Sequence, residues 1–106
     1  MPKGIMLVQS GPSDPAREDE YNDWYASVHI PQILGLPGFT GARRYRALNP
    51  ANADAPPYLA IYDLEADDLN DPIKELRARS RSGEIDRSDA LQLDPPPVTA
   101  VYRLLD

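Results

Sequence analysis

One side chain in this sequence is suited by its own chemistry to move a proton near neutral pH. It is His29, the single imidazole of the chain, with an ordinary pKa near 6.5. Tyr25 and Tyr21 precede it at four-residue steps. On a helix these three form one stripe, with Trp24 and Val28 on the adjacent row. An aromatic wall carrying one basic nitrogen suits a planar, polyketide-like substrate, so Tyr21, Trp24, Tyr25 and Val28 are assigned to substrate binding. The plainer alternative is a hydrogen-bonded histidine at a helix end beside rings that only pack the core. Arginines are the second feature: Arg43, Arg44 and Arg46 fall in one strand-like stretch. A buried guanidinium needs a carboxylate or an anionic ligand. One of them therefore either holds a substrate carboxylate or enolate, or bridges subunits to a carboxylate such as Asp63 or Glu65. Arg44 is assigned to the catalytic set with His29, and Arg43 to substrate binding; which arginine faces inward stays open. Tyr62 completes the catalytic set as a phenol that donates to a developing oxyanion. Tyr45 and Tyr102 are assigned to the pocket lining, each of these three phenols coming from a different strand.

Other chemistries find less support. Ser27 stands two positions from His29, on another side of a helix, and no G-x-S-x-G elbow occurs. With zero Cys, thiolate nucleophiles, disulfides and Fe–S clusters are excluded, and a reducing cytoplasm is the expected setting. Metal binding is not expected: there is one His, no H-E-x-x-H, and the acidic run Asp67–Asp71 lacks the glycine and terminal glutamate of a calcium loop. The glycines around Leu36-Pro37-Gly38 have the wrong spacing for a dinucleotide fingerprint, and no cofactor is expected. Eleven Lys+Arg against 17 Asp+Glu give a net charge of −6, which repels phosphate backbones and makes nucleic acid an unsuitable partner. No apolar run approaches the length that spans a bilayer, so no membrane partner is expected, and the opening run to Gln9 is too short for a signal-peptide core. Arg77, Arg79, Arg81 and Arg87 read as a solvated face, since Glu75 and Arg79 form an ordinary i, i+4 pair.

The elements that must position these residues follow from periodicity. Ile5–Gln9 is an apolar strand stopped by the turn formers from Ser10 to Pro15. From Arg17 to Leu36 the apolar residues recur at three and four, behind an acidic first turn, which predicts a helix that Pro31 either kinks or ends. Phe39–Leu48 predicts a strand with Phe39, Gly41, Arg43 and Tyr45 on one face and Thr40, Ala42, Arg44 and Arg46 on the other. A polar loop, Asn49–Pro57, leads to a strand at Tyr58–Leu64. A second helix is capped at Asp71-Pro72 and ends near Ser82-Gly83; Glu84–Asp94 is ambiguous; Val98–Leu105 is the last strand. The 106 residues make one domain, 1–106, of usual single-domain size. The order βαββαβ predicts an α+β, ferredoxin-like fold: a four-stranded antiparallel sheet with both helices on one face. Strands apolar on both faces predict a homodimer formed through the free sheet face.

The stretch Tyr21–Pro31, with its aromatic cluster ahead of His29-Ile30-Pro31, followed by Leu36-Pro37-Gly38-Phe39 and Arg43-Arg44-Tyr45, resembles the EthD-like members of the dimeric α+β barrel superfamily. The resemblance implies a dimer with a small-molecule pocket more firmly than any one reaction. The function expected is an enzyme of catabolism or secondary metabolism. It would catalyse proton transfer of the isomerase, cyclase or lyase type on an aromatic or polyketide-like carbonyl compound. Two alternatives stand beside it: a non-catalytic EthD-like accessory or ligand-binding protein, and a cofactor-free monooxygenase or a barrel binding haem through His29.

Overall fold

Alternation of apolar residues every second position gives four strands, and recurrence every third or fourth gives the helices between them. The computed structural model describes residues 1–50 and 53–105; positions 51 and 52 of the loop assigned to Asn49–Pro57 lie outside the described residues. Strand β1 (Lys3–Ser10) is followed by a short 3-10 turn (Pro15–Arg17), helix α1 (Glu18–Trp24), a π-helical turn (Tyr25–His29) and helix α2 (Ile30–Leu34). Then come β2 (Phe39–Arg46), β3 (Tyr58–Glu65), α3 (Asn70–Ser82) and β4 (Val98–Arg103). The sheet has the order β2-β3-β1-β4, antiparallel at every pairing. This is the ferredoxin-like split β-α-β arrangement that the element order predicts.

Register decides which side chains meet the helices. Met6 stands opposite Tyr62, and both are buried with Tyr58, Ala60 and Leu64 against Tyr21, Tyr25, Ile33 and Ile73 of the helical layer. Ile5, Leu7, Leu59 and Ile61 alternate to the other face, where they are half-buried with no helix above them. Strand β2 departs from simple alternation. Phe39 pairs with Leu64 and Gly41 with Asp63, so Thr40 is an extra residue in a bulge. The bulge reverses the facing of everything before it relative to everything after it. Phe39 consequently shares the helix-facing side with Ala42 and Arg44, packing its ring edge-on to Tyr62 at 6.1 Å, and the expected grouping of Phe39 with Arg43 and Tyr45 is corrected.

The structure also decides two points the sequence left open and moves one boundary. Pro31 does not end the first helix: residues 18–34 stay helical throughout, with the widened turn placed just before the proline. The second helix starts one residue before Asp71, with the Asp68 carboxylate accepting from the Asn70 amide at 2.9 Å. It ends as predicted at Gly83, whose φ of 85° is the left-handed conformation that glycine adopts freely. The ambiguous residues after it form a strap rather than a helix or strand. The Ser13 amide donates to the Ala90 carbonyl at 2.6 Å and the Gln92 amide to the Gly11 carbonyl at 3.0 Å, which lays the segment along the open end of the helix layer.

Gly38, in the turn from α2 into β2, also has a positive φ, 90°. A Cβ there would run into the Pro72 ring at the start of α3. Strain and collision together are expected to cost Gly38→Ala about 2 kcal/mol, read as a lower midpoint in urea at unchanged slope; an unchanged midpoint would show that the turn and α3 yield freely.

Candidate functional site

The site begins with the consequences of Pro31. A proline inside a helix donates no hydrogen bond, and its ring crowds the carbonyl four residues back, here that of Ser27. The chain widens the turn containing that carbonyl, and the Ile30 amide donates five residues back, to the Tyr25 carbonyl. Widened turns of this kind are rare and concentrate at functional sites. This one changes which side chains coincide. Beside the expected i, i+4 stripe, in which Tyr21 meets Tyr25 at 5.4 Å, His29 stacks on Trp24, five residues before it, with ring centroids 4.5 Å apart and planes 24° from parallel. Tyr25 meets the same imidazole edge-on at 4.9 Å.

The Nδ1 of His29 and the Nε1 of Trp24 are buried without a hydrogen-bond partner. Burial, with the Arg44 charge as a second cause, lowers the His29 pKa from 6.5 to about 4, so the ring is neutral at physiological pH. His29 and Tyr25 form part of the wall of an open cavity of about 420 Å³, lined also by Met6 and Val8 of β1, Ile33 of α2, Leu76 of α3, Leu91 of the strap and Pro97. That volume is in the range of small-molecule sites. A cavity of about 490 Å³ opens on the other side of the sheet beside Ile5 and Tyr102, but none of the buried unpartnered polar atoms belongs to its lining.

Behind Tyr25 stands Arg44. The bulge in β2 turns this guanidinium into the helical layer, over the Tyr25 ring at 4.3 Å, with Tyr58 at 5.2 Å and Tyr21 at 5.3 Å. Three aromatic faces take the place of a counter-ion. Its Nε and Nη2 are buried without a partner, and it forms no ion pair with a carboxylate among the described residues. Tyr62 lies in the same layer, its hydroxyl also buried without a partner. Burial first, and the Tyr25 hydroxyl next, hold the Tyr62 phenol far above its ordinary pKa; burial likewise raises Tyr21 and Tyr25. All three phenols keep their protons and act as neutral donors. The Tyr21 hydroxyl already shares a 2.6 Å hydrogen bond with the buried Ser10 hydroxyl.

The structure thus brings His29, Tyr25, Tyr21, Trp24, Arg44 and Tyr62 into one cluster, of which His29 and Tyr25 reach the cavity wall. It does not bring the others there. Val28 is half-buried on the flank of the widened turn and is not part of the cavity lining. Arg43, Tyr45 and Tyr102, expected at the pocket, face the opposite side of the sheet: alternation after the bulge sends Arg43 and Tyr45 there, and Tyr102 of β4 stands opposite Ile5 on that face. Tyr45 is 47% exposed and Tyr102 53%. Arg43 pairs with Asp63 of its own sheet at 2.8 Å and donates to the Tyr45 hydroxyl at 3.2 Å, so this carboxylate contact lies within one chain. Among the wall residues that went unassigned are Arg77, Ser80 and Arg81 of α3. Their spacing from the buried Ile73, at four, seven and eight residues, was the available signal.

Among the described residues no group of three or more His, Cys, Asp or Glu could hold a metal ion, and no helix is long and apolar enough to cross a membrane. No family model matches the chain, and no curated protein sequence does so either. Solved structures do match. A candidate monooxygenase from Shewanella loihica PV-4 aligns with a TM-score of 0.57 at 16% identity, over 100% of this chain and 98% of that one. An EthD family protein from Bacillus halodurans C-125 aligns at 0.53 and 10% identity, over 94% and 97%. A dimeric ferredoxin-like protein of unknown function from Thermobifida fusca YX aligns at 0.59 and 11% identity, over 97% and 92%. Identities this low establish the fold: the chain has the ferredoxin-like α+β architecture of EthD-like and dimeric ferredoxin-like proteins.

Proposed function

We propose that this chain is an EthD-like enzyme that moves a proton on a small carbonyl or phenolic compound, with His29 as the base. The observation that carries the reading is a neutral imidazole in the wall of a mostly apolar cavity. A neutral imidazole accepts a proton at any pH above its pKa of about 4. The imidazolium so formed is costly in this environment unless an anion forms next to it. The reaction therefore suits a substrate whose enolate or phenolate arises in place and then takes the proton back at another atom (isomerisation), attacks a second carbonyl whose oxygen takes the proton (cyclisation), or expels a leaving group that takes the proton (elimination). Arg44, buried without a carboxylate, supplies positive potential behind the wall. Tyr25 presents a protonated phenol at the wall, with Tyr62 behind it.

The test is exchange of acidic C–H hydrogens for deuterium in D2O across a panel of 1,3-dicarbonyl and hydroxyaryl carbonyl compounds, followed by mass spectrometry. Exchange above the buffer rate supports the reading, and its absence across the panel while the compounds bind favours the accessory, ligand-binding alternative. A second reading has one observation in its favour: the same base in the wall of the same apolar cavity would ionise a phenol, and an electron-rich phenolate reacts with dioxygen. It shares its fold with the candidate monooxygenase from Shewanella loihica. Oxygen uptake with phenolic substrates separates the two.

The protein is further proposed to work as a homodimer through the free sheet face, as the half-buried Ile5, Leu7, Leu59 and Ile61 invite. Ile61→Glu is expected to convert a dimer to a monomer in sedimentation velocity while leaving the helical circular dichroism unchanged; a monomeric parent protein would remove this assembly.

A further inference from the structure

Four of the nine arginines are matched to carboxylates among the described residues. Arg17 pairs with Glu20 and Asp89, Arg43 with Asp63, Arg46 with Glu18, and Arg79 with Glu75 and Glu84. Arg44, Arg77, Arg81, Arg87 and Arg103 have no ion pair among the described residues, and of these five Arg77 and Arg81 belong to the lining of the His29 cavity. They are four residues apart on α3, hence on one helix face, with Ser80 beside Arg81. Neither is a core residue; both are exposed at the rim. The rest of the lining holds no aspartate and no glutamate, in a chain with 17 acidic residues against 11 basic ones. Arg44, behind Tyr25 and without a carboxylate partner, adds a further positive charge on the inner side. The cavity therefore carries the opposite sign to the protein around it.

We infer that the ligand of this cavity is an apolar carboxylic acid, its carboxylate held at the mouth by Arg77 and Arg81 and its body laid along the apolar wall towards His29. The inference rests on the reading of the cavity as the substrate site and adds the substrate class to it. Cations are repelled by three guanidiniums. A neutral ligand fills the same apolar space but leaves the rim pair without a partner. Guanidinium groups present paired N–H donors that match the two oxygens of a carboxylate, and the Ser80 hydroxyl stands ready as one more donor. A head group fixed at the mouth also decides which carbon of the ligand reaches the imidazole.

The experiment uses two probes of one shape, 2-naphthoate and its neutral amide, titrated at low and high salt by calorimetry against the full chain and against the double variant Arg77→Gln/Arg81→Gln. These side chains are exposed, so the variant is expected to fold, which circular dichroism checks. The acid is expected to bind about tenfold tighter than the amide at low salt, with the gap narrowing in high salt and closing in the variant. Equal affinity for acid and amide, a gap that persists in the variant, or no binding of either probe at millimolar concentration overturns the inference. The His29 Cε1 proton resonance keeps this failure distinct from that of the catalytic reading. If both probes shift that resonance with equal affinity, the cavity stands as the ligand site and only the acid preference falls. If the acid binds without shifting it, the ligand lies elsewhere and both fall.

Discussion

Replacing His29 by glutamine is expected to lower the rate of substrate proton exchange by about 10²- to 10⁴-fold, the usual contribution of a positioned general base, with ligand affinity nearly unchanged. Glutamine has a similar length and keeps a hydrogen-bonding head, so the wall formed by Trp24 and Tyr25 retains its shape; what disappears is a nitrogen able to take up a proton. The loss should therefore fall on kcat and leave KM close to its original value. A merely structural role predicts something else. The His29 ring packs on Trp24 at 4.5 Å and on Tyr25 at 4.9 Å, so a packing residue would betray itself by a lower melting temperature at full activity per folded molecule. Full exchange activity in a folded His29→Gln protein removes the imidazole from the mechanism. Equal ligand binding by both proteins, with turnover in neither, identifies a binding protein.

The fold was legible in the sequence because its signals are local and repeated. Alternation in Tyr58–Glu65 matches a strand whose residues are alternately buried and half-buried, and the left-handed glycine after Ser82 closes α3 where a glycine was available to do so. The site was legible only in part, and the losses have two physical sources. One is the bulge at Thr40: a single extra residue reverses facing along β2, and no residue type announces it, since threonine is an ordinary strand former. It separates Phe39 from Arg43 and Tyr45, and it decides that Arg44 turns inward. The other is the widened turn before Pro31. Proline signals a disturbance, but the sequence does not say whether the helix bends, stops or adds a residue to one turn. The third outcome is the one that stacks His29 on Trp24 at a spacing of five. Arg77 and Arg81 were visible at the right spacing from Ile73, but their charge suggested solvent; residues distant in sequence, among them Met6, Val8 and Leu91, share the lining and make that face a cavity wall.

Acid should weaken this protein in a way traceable to one ring. With a folded pKa of about 4 against 6.5 for a free imidazole, the unfolded chain binds the proton first as pH falls. The contribution of neutral His29 is therefore complete above pH 6.5, is lost progressively as pH falls from 6.5 towards 4, and loses nothing further below that. The whole loss is about 3 kcal/mol, since every tenfold difference in proton affinity between the folded and unfolded chain corresponds to about 1.4 kcal/mol. Urea midpoints measured between pH 7.5 and 4.5 should show this slope in the parent protein and lose most of it in His29→Gln, which has no proton to bind there; the residual slope belongs to carboxylates. A slope that survives the substitution would place the pH dependence outside the imidazole. Arg44 is the second cause of the lowered His29 pKa, and its removal separates stability from function. Arg44→Met fills similar space without burying a charge that lacks a carboxylate, and such exchanges are often neutral or stabilising by about 1–4 kcal/mol. The His29 pKa should rise in the variant, flattening the acid slope, while proton exchange slows because the developing anion has lost the positive charge behind Tyr25. Stability that holds or rises while activity falls is the mark of a charge kept for its chemistry; a fall in both would mean that Arg44 serves to hold the three tyrosine rings together.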